Sequence, residues 1–359
     1  MITVTKTYLP PFDTYVSLLK RAWDNKWLTN NGELVQELEM KLKEFLGVDY
    51  LLFASNGTVV LQMALKALDV TKEVITTPFS YVATTNSILW EGCTPVFADI
   101  DPRTFCIDVS EVEKKITPNT QAILTTHVYG MPCNVEAIEA LAAKYNLKVI
   151  YDGAHAFGCS YHGKSLLSYG DISTCSFHAT KIFHTVEGGA IICKNEEVYK
   201  KLLLYRSFGQ TGEQYLSEGI NAKNSELHAA MGLAILPSMN EIIERRKALI
   251  SLYRTSLQSA AITMLHFNYL EYFKWNYSYF PILFESEAAL TAANDEMSVA
   301  GINCRRYFFP SLNKLPFLKH TSLCPISEDI SKRVLCLPLY YELSFDEVSF
   351  ICSIINNAN

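Results

Sequence analysis

The sequence lacks the features that mark a membrane-spanning or nucleic-acid-binding chain. No apolar run reaches the roughly 18 residues that a membrane-spanning helix needs, and no dense block of lysine and arginine is present. With 31 basic against 37 acidic side chains the formal net charge is −6, so neither a membrane nor nucleic acid is an expected partner. Residues 1–10 contain no basic stretch followed by an apolar one, so no signal peptide is expected.

A metal-binding or disulfide pattern is also missing. The ten cysteines are scattered from Cys93 to Cys352 without a Cys-x-x-Cys motif, so no metal site is predicted. Cys159, Cys175, Cys193 and others sit in apolar runs and are interpreted as small buried hydrophobic residues. Without an export signal, the reducing cytoplasm is the predicted location.

The composition is that of a globular protein. A hydrophobic content of 49% with 19% charged residues excludes a disordered chain, and no repeat or low-complexity tract is found. A chain of 359 residues can bury a large core. We predict a large domain over residues 1–245 and a smaller α+β domain over residues 246–359, where aromatic-rich segments mix with short helices.

Apolar runs and helical periodicity alternate along the large domain. Two helices are predicted within residues 12–46, separated by a turn-rich loop at 27–32. Strands are predicted at 50–54, 73–77, 95–99, 122–126, 148–151, 172–175 and 190–193, and helices at 59–68, 82–90, 111–116, 135–145, 197–208 and 226–257. This order predicts an α/β fold, a mostly parallel sheet sandwiched by helices, with ligands at the C-terminal ends of the strands.

The segment from Ser176 to Gly189, between two predicted strands, carries the strongest chemical signal. Lys181 has no acidic residue in the five positions before it, and a buried ammonium is costly unless it loses its proton or becomes covalently bonded. A neutral lysine amine is what a Schiff base requires. With the Ser176 hydroxyl available for a phosphate oxygen, the segment suggests a pyridoxal phosphate (PLP) site with Lys181 as carrier; alternatively, Lys181 is a surface loop lysine.

Other strand ends carry candidates for the same ligand. Asn56, Gly57 and Thr58 join a strand to a helix, and the free N–H groups and dipole of a helix N-terminus favour a phosphate. The alternative is an ordinary turn with a helix cap. Tyr81 follows the next strand, and like its neighbour Phe79 it is a candidate to lie flat on a planar cofactor.

Asp152 and His155 follow a very apolar strand. A carboxylate at the end of a buried strand needs a partner, and a pyridinium N–H would supply one while the carboxylate keeps the ring protonated. His155 is placed to reach the phenolic oxygen of the ring or to stack on it. The alternative is that Asp152 caps a helix and His155 is incidental.

Taken together, these motifs resemble the DegT/DnrJ/EryC1/StrS sugar aminotransferases, fold-type-I PLP enzymes that act on nucleotide-linked keto sugars. Residues 27–32 resemble the substrate loop of the family, and residues 56–58 resemble its phosphate-binding turn. Residues 78–81 resemble its ring-stacking segment, and residues 152–155 together with 176–189 resemble its cofactor-binding core. Members with histidine in place of the carrier lysine are dehydratases, so Lys181 favours an aminotransferase.

The resemblance implies PLP as the cofactor and a role for each matching residue. Lys181, Asp152 and His155 are the implied catalytic residues; Gly57, Thr58, Tyr81, Asp152, His155, Ser176, Lys181 and Asn221 are implied to bind the cofactor; Trp27, Thr29, Asn30, His184, Lys223 and Tyr307 are implied to bind the sugar nucleotide. The family also implies a homodimer with shared sites, in which Asn221 reaches the phosphate in the partner chain. Alternatively, Asn221 caps a helix that begins near Lys223.

The implied reaction moves an amino group from L-glutamate to C4 of a nucleotide-linked 4-keto-6-deoxy sugar. The Ser-Phe-His-x-x-Lys…Glu-Gly-Gly pattern resembles members that aminate C4, most closely those that act on dTDP-4-keto-6-deoxyglucose for surface polysaccharides such as O-antigen. A UDP-linked sugar and a non-catalytic PLP-fold regulator are the alternatives. Lys223 stands where many relatives carry arginine, which leaves that substrate contact in question because the two side chains are not interchangeable at bidentate sites.

Overall fold

The computed structural model describes residues 1–260, 262–265, 271–319 and 322–357. The first part of the chain forms β1 (Ile2–Thr3), α1 (Phe12–Asn25), α2 (Glu33–Leu46), β2 (Tyr50–Ala54), α3 (Gly57–Ala67), β3 (Glu73–Thr76), α4 (Val82–Trp90), β4 (Thr94–Phe97), α5 (Val109–Lys115), β5 (Thr120–Thr126), α6 (Val135–Tyr145), β6 (Lys148–Asp152), β7 (Ser160–Tyr161), β8 (Lys164–Ser165), β9 (Ile172–Ser176) and β10 (Gly189–Cys193). The rest forms α7 (Glu196–Arg206), β11 (Gln210–Thr211), β12 (Gln214–Tyr215), α8 (Glu226–Ile235), α9 (Met239–Ser256), β13 (Ile262–Met264), β14 (Phe273–Lys274), β15 (Phe280–Phe284), α10 (Glu287–Val299), β16 (Ile302–Asn303), α11 (Pro325–Arg333), β17 (Val334–Leu337) and α12 (Phe345–Asn357).

The central sheet has seven strands in the order β2-β10-β9-β6-β5-β3-β4. All neighbouring pairs are parallel except those of β10, which runs against both β2 and β9. The predicted mostly parallel sheet is therefore confirmed. At its edge the register places Gly189 between Ala54 and Ser176, and pairs Asp152 with Thr126 on one side and Thr174 on the other.

Helices cover both faces of this sheet. Successive strand side chains point to opposite faces, so Leu51 and Phe53 of β2 pack in one apolar layer and Leu52 and Ala54 in the other. The first layer includes side chains of α2, α6 and α8, whereas the second includes side chains of α3 and α7. The predicted sandwich of helices around the sheet is thus confirmed.

The C-terminal part builds a second, smaller sheet. β13, β15 and β17 pair antiparallel in that order, and α10 and α12 pack nearby. The N-terminus joins this part, because β1 pairs with β16 through Ile2 and Ile302. Residue 246, where we predicted the boundary between two domains, lies within α9; the division into domains stays a prediction.

The single long helix predicted over residues 226–257 is wrong. The structure divides it into α8 and α9, with a short 3-10 helix at Leu236–Ser238 between them. Pro237 explains the break, because proline has no N–H to donate to the preceding turn and its ring crowds that turn. Hydrophobic periodicity continues across the proline and therefore concealed the break.

The cysteines match their interpretation as buried hydrophobic residues. All ten are free, and all are buried except Cys304, which is partly exposed. Among the helices of the described residues, none is both long enough and apolar enough to cross a membrane.

Candidate active site

A cavity of about 690 Å³ opens at the C-terminal edge of the central sheet. Its wall includes most of the residues that the sequence predicted for the cofactor: Gly57, Thr58, Tyr81, Asp152, His155, Ser176 and Lys181, together with Tyr307 from the predicted substrate set. Apart from Tyr307, which comes from the C-terminal part of the chain, these residues meet because the parallel strands of the central sheet end at the same edge. A cavity of this size is typical of a small-molecule site.

Lys181 lies in the loop between β9 and β10. The loop is closed at its base, where the Phe177 N–H donates to the Gly188 carbonyl at 2.8 Å, and it is packed by the rings of Phe177 and Phe183, whose centroids are 4.8 Å apart. Lys181 is half-buried and lines the cavity, with its Nζ 3.4 Å from the Tyr279 hydroxyl. Burial lowers the pKa of Lys181 and so favours the neutral amine, which contradicts the alternative of a surface lysine.

Asp152 ends β6 with a buried carboxylate. Its Oδ2 accepts a hydrogen bond from the Thr84 hydroxyl at 2.7 Å, and its Oδ1 accepts one from the Ala154 N–H at 3.0 Å. Burial raises the pKa of Asp152, and these two hydrogen bonds oppose the rise. A carboxylate offers about four acceptor positions, so a cationic N–H donor in the cavity would find an acceptor here. Asp152 therefore both caps the following turn and faces the cavity.

His155 is a neutral donor in the cavity wall. Its Nδ1 accepts the Tyr129 N–H at 3.1 Å, which leaves the proton of a neutral ring on Nε2. The imidazole lies parallel to the Phe308 ring, with centroids 5.6 Å apart, and 4.6 Å from the ring of Tyr279. Burial, assisted by the charge of Lys181, holds the pKa of His155 well below its usual value, so the side chain stays uncharged at neutral pH.

The turn before α3 combines both interpretations made from the sequence. The Asn56 side chain accepts the N–H groups of Thr58 and Val59 at 3.0 and 2.9 Å, so Asn56 is a helix cap. Gly57 and Ser176 are in close contact, since a Cβ on Gly57 would lie 2.8 Å from the Ser176 Cβ. Together with the hydroxyls of Thr58 and Ser176, this narrow cradle at the positive end of a helix suits a phosphate.

Two of the predicted residues lie outside the cavity wall, in the segment before α8. Asn221 is exposed and its Oδ1 accepts a hydrogen bond from the Lys223 ammonium at 2.9 Å. Lys223 also lies 4.5 Å from the ring centroid of Phe208, and burial lowers its pKa. The alternative role of Asn221 as a cap is wrong, because the cap of α8 is Ser225.

The predicted substrate loop at 27–32 also lies apart from the cavity wall. Trp27 instead borders a second cavity of about 560 Å³, and Thr29 and Asn30 are exposed. Two buried residues hold this loop: the backbone N–H of Glu226 donates to the Leu28 carbonyl, and the Arg206 guanidinium donates to the Asn31 side chain at 3.2 Å.

His184 does not reach the cavity wall either. It is buried; its Nδ1 accepts the Val186 N–H, and its Nε2 lies 2.7 Å from the Tyr8 carbonyl. Because Nδ1 acts as an acceptor, Nε2 carries the proton and donates it to Tyr8. Within its own chain, His184 therefore ties the N-terminal segment to the loop that carries Lys181.

Sequence reasoning missed a cationic residue of the cavity wall, Arg305. Its guanidinium lies 4.5 Å from the ring centroid of Tyr307, and among the described residues no carboxylate forms an ion pair with it. The neighbouring Arg306, by contrast, is paired with Glu287 at 2.9 Å. The only signal in the sequence was an arginine doublet directly before the aromatic segment that begins at Tyr307.

Comparison with known proteins decides the family. Residues 13–356 match the model of the DegT/DnrJ/EryC1/StrS aminotransferase family. The chain belongs to this family. Its similarity to individual members is high: it is 43% identical to the dTDP-4-amino-4,6-dideoxy-D-glucose transaminase of Shigella dysenteriae over 362 residues, which cover 99% of this chain and 98% of that protein.

Solved structures show the same fold for this DegT/DnrJ/EryC1/StrS aminotransferase. The crystal structure of DesI in the presence of its TDP-sugar product superposes with a TM-score of 0.94 at 30% identity, covering 99% of this chain and 92% of that one. The PLP-form of Spr1654, a putative sugar aminotransferase from Streptococcus pneumoniae, gives a TM-score of 0.91 at 24% identity, covering 99% and 98%. The predictions of family, fold class and aminotransferase activity are confirmed.

Proposed function

We propose that this aminotransferase uses PLP to move the amino group of L-glutamate to C4 of dTDP-4-keto-6-deoxy-D-glucose, which yields dTDP-4-amino-4,6-dideoxy-D-glucose for a surface polysaccharide or a related glycoside. The observation that carries the proposal is the convergence of Lys181 and Asp152 in one cavity, in a chain 43% identical along its length to a transaminase named for that sugar.

The residues present fit PLP. The cradle that a Cβ on Gly57 would fill, beside Ser176 and the N-terminus of α3, suits the phosphate. The buried Asp152 carboxylate lacks a cationic partner within hydrogen-bonding distance among the described residues, and a protonated ring nitrogen would supply one. Lys181 lines the same cavity. When bound, the cofactor supplies a carbonyl for the lysine amine and a ring that withdraws electrons from the donor Cα.

The chain's own residues then have separate tasks. Lys181 would hold the cofactor through its amine and, as a free base, would move a proton from the donor Cα to C4′ of the cofactor. Asp152 would keep the ring nitrogen protonated, and His155 would donate a hydrogen bond from Nε2 to the phenolic oxygen of the ring. Both substrates are anions, since glutamate carries two carboxylates and the sugar nucleotide carries a diphosphate. Arg305 gives the cavity a cationic side chain that suits such groups.

An assay with purified components tests this function. The enzyme, PLP and glutamate are incubated with the dTDP-linked or the UDP-linked 4-keto-6-deoxy sugar, and the product is identified by NMR while 2-oxoglutarate release is measured. We expect amination at C4 with a clear preference for the dTDP sugar. A preference for the UDP sugar would replace the proposed substrate, and 2-oxoglutarate release without sugar amination would contradict the assignment of the acceptor.

We further propose a homodimer with shared active sites. Large apolar side chains are exposed around the 27–32 loop and the segment before α8, including Trp27, Leu28, Phe208, Leu216 and Ile220. Exposed apolar patches of this kind mark interaction surfaces, and two-fold pairs are the commonest oligomers. Asn221 is exposed on the same segment and lies outside its own cavity wall, which supports a role in the partner's site.

Mixing two inactive variants tests whether sites are shared. Lys181→Ala removes the carrier, and Asn221→Asp places a carboxylate where the partner's phosphate is expected. A mixed dimer then has one site with both defects and one site with neither. Statistical exchange makes half of the dimers mixed, so we expect roughly a quarter of wild-type activity to return. Each variant incubated alone is the control, and no recovery after proven subunit exchange would overturn the shared-site proposal.

A further inference from the structure

A line of three buried hydroxyl groups leads to the Asp152 carboxylate. Thr126 Oγ1 lies 2.8 Å from Ser80 Oγ, which lies 2.7 Å from Thr84 Oγ1, which in turn donates to Asp152 Oδ2 at 2.7 Å. Thr126 ends β5, Ser80 precedes α4, and Thr84 lies in the first turn of α4. All three hydroxyl-bearing residues are almost entirely shielded from solvent, with exposures of 2% or less.

The direction of the line follows from counting protons. A hydroxyl has one proton to donate, and Thr84 gives its proton to Asp152. Thr84 must therefore accept from Ser80, and Ser80, having used its own proton, must accept from Thr126. Every hydroxyl thus points its proton toward the carboxylate. An ionised Asp152 stabilises this arrangement, whereas a protonated Asp152 does not require it.

We infer that Thr126, Ser80 and Thr84 form a one-way hydrogen-bond chain that holds Asp152 ionised and oriented for the ring nitrogen of the cofactor. This inference rests on the proposed function, because it assumes that PLP binds with its ring nitrogen at Asp152. Thr84 is a positioning residue in this assignment, since it lies behind Asp152 and outside the cavity wall.

The surroundings of Asp152 explain why neutral donors are needed. Lys181, from the loop after β9, and Cys175, on β9, interact electrostatically with Asp152. His155, from the turn after β6, lines the same cavity, and His127, after β5, is buried close by. His155 and His127 are held neutral by burial, and burial raises the pKa of Cys175 to about 12. Only Lys181 could offer a positive charge among them, and burial lowers its pKa and favours its neutral form.

The pH dependence of PLP binding tests the role of this hydrogen-bond chain. Apoenzyme is titrated with PLP by equilibrium dialysis between about pH 5 and 8 in the wild type, Thr84→Val and Thr84→Ser. A protonated Asp152 cannot pair with a protonated ring nitrogen, so affinity should fall as pH decreases through the pKa of Asp152. A hydrogen bond to an ionised group is worth roughly tenfold in equilibrium. We therefore expect the midpoint of this fall to rise by about one pH unit in Thr84→Val and to return in Thr84→Ser.

Thr85 provides a matched control. It is the next residue of α4 and is fully buried, but its hydroxyl has no hydrogen-bond partner within the described part of the chain. Thr85→Val should leave the midpoint unchanged, whereas Ser80→Ala, one step further from Asp152, should shift it in the same direction by less. The ionisations of free PLP are common to all variants, so differences between variants report on the protein.

The outcomes separate this inference from the proposed function. If Thr84→Val binds PLP more weakly at every pH but with an unchanged midpoint, Thr84 contributes only packing. That result would overturn the inference. An equal shift in Thr85→Val would also overturn it, because that hydroxyl is not in the line. Absence of PLP binding by the wild type would contradict the proposed cofactor itself, which the dialysis detects before any variant is compared.

Discussion

Lys181→Arg is expected to fold and to lose at least about a thousandfold of the aminotransferase activity, because the catalysed transfer depends on a covalent carrier. Arginine has a similar length, but its guanidinium stays protonated and cannot act as a neutral amine nucleophile. The variant should therefore bind PLP without a covalent bond. The expected signs are loss of the visible band of the lysine-bound cofactor and, after borohydride treatment, release of the reduced cofactor on dialysis instead of its retention on the protein.

Lys200→Arg is a suitable control for this experiment. Lys200 is exposed on α7 and is paired with Glu196 at 2.9 Å, so the same chemical change there should leave spectrum and turnover unchanged. Turnover retained in Lys181→Arg, with the protein shown to be folded, would remove Lys181 from the mechanism.

Asp152→Asn should lower turnover by about a thousandfold or more, while the fold is retained. The amide preserves the shape of the side chain, and its oxygen can still accept the hydrogen bond from Thr84. It carries no charge, however, and cannot keep a ring nitrogen protonated, so the electron-withdrawing power of the cofactor is lost. Steady-state rates with saturating glutamate and sugar, together with the thermal unfolding midpoint, measure the two effects separately.

Asp171→Asn distinguishes a catalytic carboxylate from a structural one. The Asp171 carboxylate accepts the Val149 N–H at 2.7 Å, next to the start of β9, so it caps local structure as Asp152 does for Ala154. We expect Asp171→Asn to change stability but not turnover. If Asp152→Asn lowers turnover by less than tenfold, which corresponds to about 1.4 kcal/mol of activation barrier, Asp152 acts only as a cap of the following turn.

The features that the sequence predicted well depend on short stretches of chain. The alternation of strands and helices follows from periodicities of 2 and 3.6 residues, which report which face of each element is buried. Lys181 and Ser176 are five residues apart in one loop, and Asp152 directly ends an apolar strand. Their meeting in one cavity followed from the general rule that parallel strands end at a common edge. Family, fold class and the convergence of these residues in one cavity were therefore predictable.

By itself, then, the sequence determined the strands of the central sheet, most of the helices around it, the sheet type and the residues at its C-terminal edge. Only the tertiary structure decided the partners of those residues. Thr126 reaches Ser80 across 46 positions of sequence, and Arg305 joins the cavity from the C-terminal part of the chain. Such contacts depend on strand order and on the path of the connections, which local hydrogen bonding and hydrophobic periodicity do not specify. For the same reason, only the fold could place His184 and Asn221 outside the cavity of their own chain.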